Sequence, residues 1–137
     1  MANGFDRVSC GITVLRVVVG IVFFVHGLQK MFGFGFYGVT GFMGSVGIPL
    51  PNVAAVIVTL VELIGGFALI IGLLTRWAAI LNGFDMIVAT LLVHWKNGFF
   101  MQKQGYEFTL TLLAACVALV LAGPGCFSID RAISRRD

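Results

Sequence analysis

Two carboxylates lie inside apolar runs of this sequence, Glu62 within residues 52–74 and Asp85 within 77–96. A charge at the centre of a bilayer costs roughly 2.5–3.5 kcal/mol on insertion scales, so each must be protonated or met by a partner. Arg16 lies in another apolar run, and its long side chain can climb along a helix. Counting about 1.5 Å per residue from the outer ends puts Glu62 and Asp85 about 15–16 Å deep, and Arg16 about 7 Å further in. The count predicts one mid-membrane cluster of Arg16, Glu62 and Asp85, the candidate catalytic set. Thr59, Asn82 and Thr90 are near enough in depth to hydrogen-bond with it. One guanidinium takes one carboxylate bidentately. The second carboxylate is then left over, and like charges in an apolar site favour a shared proton. Such a cluster can exchange that proton. It can equally be an ion pair that fixes helix register.

A second polar layer falls near the outer face: His26, Gln29, Lys30, His94, Trp95, Lys96, Asn97, Tyr106 and Glu107. His26, Gln29 and Lys30 share one helical face by their i+3 and i+4 spacing. His26, Lys30, His94, Tyr106 and Glu107 are the candidate ligand-binding residues, able together to hold an anionic or quinone-like headgroup. Histidine would move protons there near neutral pH. Trp95, Tyr106 and Lys96 also fit the aromatic and snorkelling belt of a membrane interface. His26 and His94 have no i,i+4 relation, so no metal site is expected. Cys10, Cys116 and Cys126 form no CxxC pair and read as small apolar packing residues.

The elements that must position these groups are membrane spans. Of the 137 residues, 59% are hydrophobic and 11% charged. A soluble domain carries about 25% charged residues. The expected fold is all-α: an integral membrane four-helix bundle, one unit over residues 1–137, with spans at about 12–31, 52–73, 77–96 and 106–122. Residues 33–51 hold glycines at 35, 38, 41, 44 and 47 and predict an interfacial Gly-rich loop with one short helix near 39–46. Asp6 and Ser9 are placed to cap the first helix, and Gly123-Pro124-Gly125 to stop the last. The first apolar run continues too far for a cleaved signal peptide. Gly20, Gly65, Gly66, Gly72 and Gly83 supply surfaces for close helix packing.

The net charge of +3 belongs to topology and not to nucleic acid. Arg7, Arg76, Arg131, Arg135 and Arg136 fall on one side, and Lys30, Lys96 and Lys103 on the other. The bias predicts both termini in the cytoplasm.

The residues Arg16-x3-Gly20-x5-His26-Gly27-x2-Lys30, Gly47-x-Pro49 and Glu62-x2-Gly65-Gly66 resemble the DoxX family. So do Gly72-Leu73-x-Thr75-Arg76, His94-x3-Gly98-Phe99, Gly105-Tyr106-Glu107 and Gly123-Pro124-Gly125. The resemblance spans roughly residues 14–130. It implies a four-helix protein of the bacterial cytoplasmic (inner) membrane, acting as an oxidoreductase component tied to oxidative stress or quinone chemistry. Arg16, His26, Lys30, Glu62, His94 and Glu107 match the motif. Three functions follow as expectations: a membrane subunit of a redox system binding a quinone or similar small molecule, a small proton-coupled transporter or channel, and an assembly partner of another membrane protein. Expected partners are the lipid bilayer, other membrane or redox proteins and further copies of the chain.

Overall fold

The computed structural model describes residues 6–136. Its first helix, α1, runs Arg7–Leu28, and the Asp6 carboxylate caps it by accepting from the Ser9 amide at 2.6 Å. The chain does not stop at Leu28. It continues through wider π turns over Gln29–Phe34. Gly35, at φ 70° and ψ 171°, then breaks the run, so Arg7–Ser45 is not one straight rod.

The helix α2 follows at Gly35–Ser45, where a Gly-rich loop with a shorter helix near 39–46 was expected. Glycine is a poor helix former, yet backbone left unpaired among apolar groups costs more. Val39 and Met43, one turn apart, bury themselves against Ala55 and hold the helix in place.

Next comes α3, Pro51–Ile71, with proline in its first turn. It ends at Gly72 in the left-handed conformation, where the Leu73 amide donates to the Ala68 carbonyl at 2.9 Å. α4 spans Thr75–Val88 and runs on through π turns at Ala89–His94 to a final turn at Trp95–Asn97. α5 is Glu107–Ala122, and the short α6 is Ile129–Ser134, capped by Ser128. Three helical runs are long and apolar enough to cross a membrane. α5, with 16 residues, is a shorter apolar helix. Many large apolar side chains point outward, among them Phe67, Trp77, Phe84 and Leu121, as lipid contact requires.

Helices in lipid gain no hydrophobic drive from pairing, so they pack by letting backbones touch. α1 and α3 do this through Gly20, Gly27 and Gly66. A Cβ on Gly27 would sit 2.6 Å from the Leu63 nitrogen, and one on Gly20 would sit 2.8 Å from the Gly66 carbonyl oxygen. Gly65 makes room for the buried Asn82 side chain of α4. Gly83 lets α4 meet Cys116 of α5, and Thr90 donates to Thr109 across the same pair at 2.8 Å. Phe23, Leu69, Ala79, Cys116 and Leu119 fill the core between these contacts.

Gly27→Val should therefore lower the thermal unfolding midpoint in detergent, at a cost of about 1–3 kcal/mol or more for overpacking. Gly11→Ala is the control, because nothing lies within 4 Å of the added carbon, and its midpoint should not fall. Equal midpoints for the two variants would contradict the close α1–α3 contact.

Candidate functional site

The partner of Glu62 is Lys30. The ammonium Nζ lies 2.6 Å from Glu62 Oε2, and the two side chains are 20% and 5% exposed. Gly27 stands three residues before Lys30, and its contact, Leu63, stands one residue after Glu62. The close backbone approach thus brings the two levels together. Lys30 sits in the π turns, which widen the helix where the side chain leaves it; such turns are frequent at functional sites.

Asp85 of α4 lies beside Glu62, within hydrogen-bonding reach of its carboxyl, and feels the charge of Lys30. Its Oδ2 is buried, with no hydrogen-bond partner among the described residues. His26 lies close enough to feel both Lys30 and Glu62, and its ring packs against Phe108 at 6.0 Å. The site is therefore His26, Lys30, Glu62 and Asp85. One ammonium faces two carboxyls, so uptake of a single proton would make the set neutral.

Two cavities flank this set. One, about 280 Å³, opens between α2, α3 and α4 and is lined by Met43, Ile57, Val58, Phe84 and Val93, with Asp85 as its one ionisable group. The other, about 190 Å³, is lined by Lys30, Phe36, Val56 and Thr59. A larger open groove of about 780 Å³ lies at the opposite end of the bundle, between the start of α1, the α3–α4 turn and α6. It contains none of the four site residues.

Arg16 does not join the carboxylates. It is buried at the far end of α3, where its Nη1 donates to the Leu69 carbonyl at 2.6 Å and the Ile70 carbonyl at 3.0 Å. Nε donates to Pro124 O at 2.8 Å, and Nη2 donates to Phe127 O. The last carbonyls of a helix lack intrahelical donors and carry its negative end, so a guanidinium there is well placed. Glu62 lies seven residues earlier on α3, about 10 Å away along the axis. Thr59 and Asn82 donate to their own helices, to Ala55 O and Ala78 O, and Thr90 donates to α5, so these three do not serve the cluster either.

The expected outer layer also divides. His26 and Lys30, both half-buried, stand with Glu62 and Asp85. His94 Nδ1 pairs with the Gln104 carbonyl at 2.7 Å, and Asn97 donates to the same oxygen at 3.2 Å. Glu107 Oε1 accepts from the Met101 amide at 2.8 Å. Tyr106 stacks on Trp95 at 5.0 Å and meets Phe99 edge-on at 5.6 Å. These residues shape the connection between α4 and α5, and their polar atoms are used in doing so. The sequence carries little sign of the Lys30–Glu62 pairing. Its one signal there was Gly27, which is spaced like Gly20 to bring α1 against α3.

The sequence profile of the DoxX family, described simply as DoxX, matches residues 11–95, which contain all four site residues. The chain belongs to the DoxX family. It is 38% identical over 120 residues to a Bacillus subtilis protein named "Putative oxidoreductase CatD", covering 88% of this chain and 84% of that one. It is 31% identical to the uncharacterized membrane protein Rv3486 of Mycobacterium tuberculosis, over 98% of this chain and 86% of that one. It is 29% identical to the inner membrane protein YphA of Escherichia coli, over 86% of each. No solved structure matches the chain. With the apolar helices, this makes it a membrane protein of the DoxX family.

Removing one member of a buried pair strands the other charge, which costs about 3–5 kcal/mol, whereas replacing both can be neutral. Lys30→Met should accordingly destabilise the DoxX protein by about that amount, and Lys30→Met with Glu62→Met should recover most of it. Thermal unfolding of Lys30→Met, Glu62→Met and the double variant measures this. A double variant no better than the sum of the singles would show that the pair does not act as a unit.

Proposed function

We propose that this protein is the membrane subunit of a redox system and binds a quinone, or a small molecule of similar shape, against Asp85. The observation that carries the reading is the unpartnered Asp85 oxygen in an otherwise apolar cavity of about 280 Å³. Ligand sites are typically apolar clefts with a few polar groups that fix orientation. A quinone ring suits the apolar walls, and Asp85 in its protonated form donates to one of its carbonyl oxygens. Reduction to the quinol takes up two electrons and two protons. Glu62, Lys30 and His26 stand behind Asp85 as the proton relay. None of these side chains stores electrons, so the electrons come from a partner redox protein. The name carried by CatD agrees with this class of chemistry. His94, Tyr106 and Glu107 hold the connection between α4 and α5 and do not line this cavity, and Arg16 serves the fold.

For topology we propose four spans, one unit over residues 1–137, with both termini cytoplasmic in the bacterial inner membrane. Arg7, Arg76, Arg131, Arg135 and Arg136 share one end. With Lys30 taken into the site, only Lys96 and Lys103 remain to balance them, so the positive-inside bias is stronger than the sequence count made it. A second reading, a proton-coupled transporter or channel, draws on the further cavity beside Lys30. Its signature would be pH-driven flux into liposomes that Glu62→Gln abolishes.

The quinone reading is tested in lipid nanodiscs with a short-chain ubiquinone analogue. Binding should saturate, and both Asp85→Asn and Ala54→Phe, which fills the cavity, should weaken it at least about tenfold, or about 1.4 kcal/mol. Non-saturable uptake, or binding unchanged in both variants, rules the reading out.

A further inference from the structure

Cys10 and Cys126 are 116 positions apart in the sequence, yet their sulfurs lie 3.3 Å apart. They meet at the end of the bundle held by Arg16, well away from Lys30, Glu62 and Asp85. The packing role expected for all three cysteines holds for Cys116, which is buried in the core. It does not describe this pair. We propose that Cys10 and Cys126 form a dithiol–disulfide couple, oxidised by a low-molecular-weight disulfide. The inference is independent of the quinone reading and concerns a separate centre.

Geometry favours the bond. A disulfide needs its sulfurs about 2.05 Å apart, so the pair must close by about 1.3 Å, within the range of side-chain rotation. Cys126 lies in the non-helical segment between α5 and α6, directly after Gly125 at φ 83°. Its backbone amide donates to the Thr13 hydroxyl oxygen at 2.9 Å, and the Cys126 sulfur lies 3.5 Å from the same oxygen. The Thr13 hydroxyl beside it holds the Cys126 thiol below its usual range. Arg131, which donates to Ser9 Oγ at 3.2 Å, adds positive charge beside Cys10, opposed there by the Asp6 carboxylate. Thiolates are the reactive form, and cationic or hydrogen-bonding surroundings favour them.

Exposure assigns the roles. Cys10 is half-buried and Cys126 is buried, so an incoming disulfide reaches Cys10 first. Cys10 passes its proton across the 3.3 Å contact to the Cys126 sulfur and attacks one sulfur of the reagent as the thiolate. That S–S bond breaks, a mixed disulfide forms on Cys10, and one thiolate leaves. The Cys126 thiolate then attacks the Cys10 sulfur and expels the second thiolate. Two protons pass from the cysteines to the two released thiolates, and two electrons reduce the reagent. The new bond would tie the first turn of α1 to the segment whose Pro124 and Phe127 carbonyls hold Arg16. In a reducing compartment such bonds are transient, and they serve redox sensing or catalysis.

The test uses the full chain in detergent, equilibrated with mixtures of reduced and oxidised glutathione. Samples are quenched in acid, denatured, labelled with a polyethylene-glycol maleimide, and weighed intact. Reduced protein should take three labels, one for each cysteine. Oxidised protein should take one label on Cys116, run as a monomer, lose two hydrogens in mass, and yield a linked peptide containing Cys10 and Cys126. Cys126→Ser should instead trap one glutathione on Cys10. Three labels retained by the wild type in excess oxidised glutathione would overturn the proposal. So would a two-label loss that persists in Cys10→Ser.

Discussion

The backbone contact between α1 and α3 sets where every polar group in the bundle can go. Lipid offers neither helix a reason to seek the other, so the pair depends on glycines that let main chains touch. Gly27 against Leu63 fixes the level at which Lys30 meets Glu62, and Gly20 against Gly66 fixes the level at which Arg16 reaches the end of α3. A side chain at either glycine would push the helices apart. The half-buried Lys30 and the buried Arg16 would then lose their partners along with the packing. Few neutral contacts in the molecule carry as many dependents.

Much of this was legible in the sequence. The apolar runs, the Asp6 cap, the Gly123-Pro124-Gly125 stop and the DoxX motifs follow from local rules, and local rules survive into the structure. The need of Glu62 for a partner was equally plain, and so was the nearness of Asp85. The partner's identity was not. With residue 31 as the outer end of the first span, level with residue 52, Lys30 falls at the rim. The helix instead continues past Lys30 in π turns, so Lys30 is an interior residue and not a rim one. Arg16 was misplaced for the opposite reason, since unpaired carbonyls at the end of α3 outbid a carboxylate about 10 Å away. Neither π turns nor the choice among competing acceptors is written in residue type.

The two ends of the bundle also divide their labour by the kind of acceptor they offer. At one end, Lys30 meets a carboxylate that can gain or lose a proton, beside cavities open to apolar molecules. At the other, Arg16 meets backbone carbonyls that cannot. A guanidinium held by carbonyl oxygens gives a rigid joint that does not respond to pH, which suits an anchor. An ammonium paired with a carboxylate beside a second carboxyl is a joint whose charge can change. Thr90 and Thr109, beyond Asp85 toward the α4–α5 connection, join the two helices with neutral hydroxyls.

One feature of the anchored end bears on how the molecule is made. The Asp130 carboxylate accepts from the Leu74 amide at 2.7 Å and the Thr75 amide at 2.9 Å, capping α4 from 55 or 56 residues further along the chain. When α3 and α4 first emerge from the ribosome, Asp130 has not been made. The start of α4 must wait through the synthesis of α5 with two amides satisfied only by water or lipid headgroups. The first turn of α6 is therefore what completes a helix begun in the middle of the bundle, and that end can close only once α5 and the start of α6 have been made.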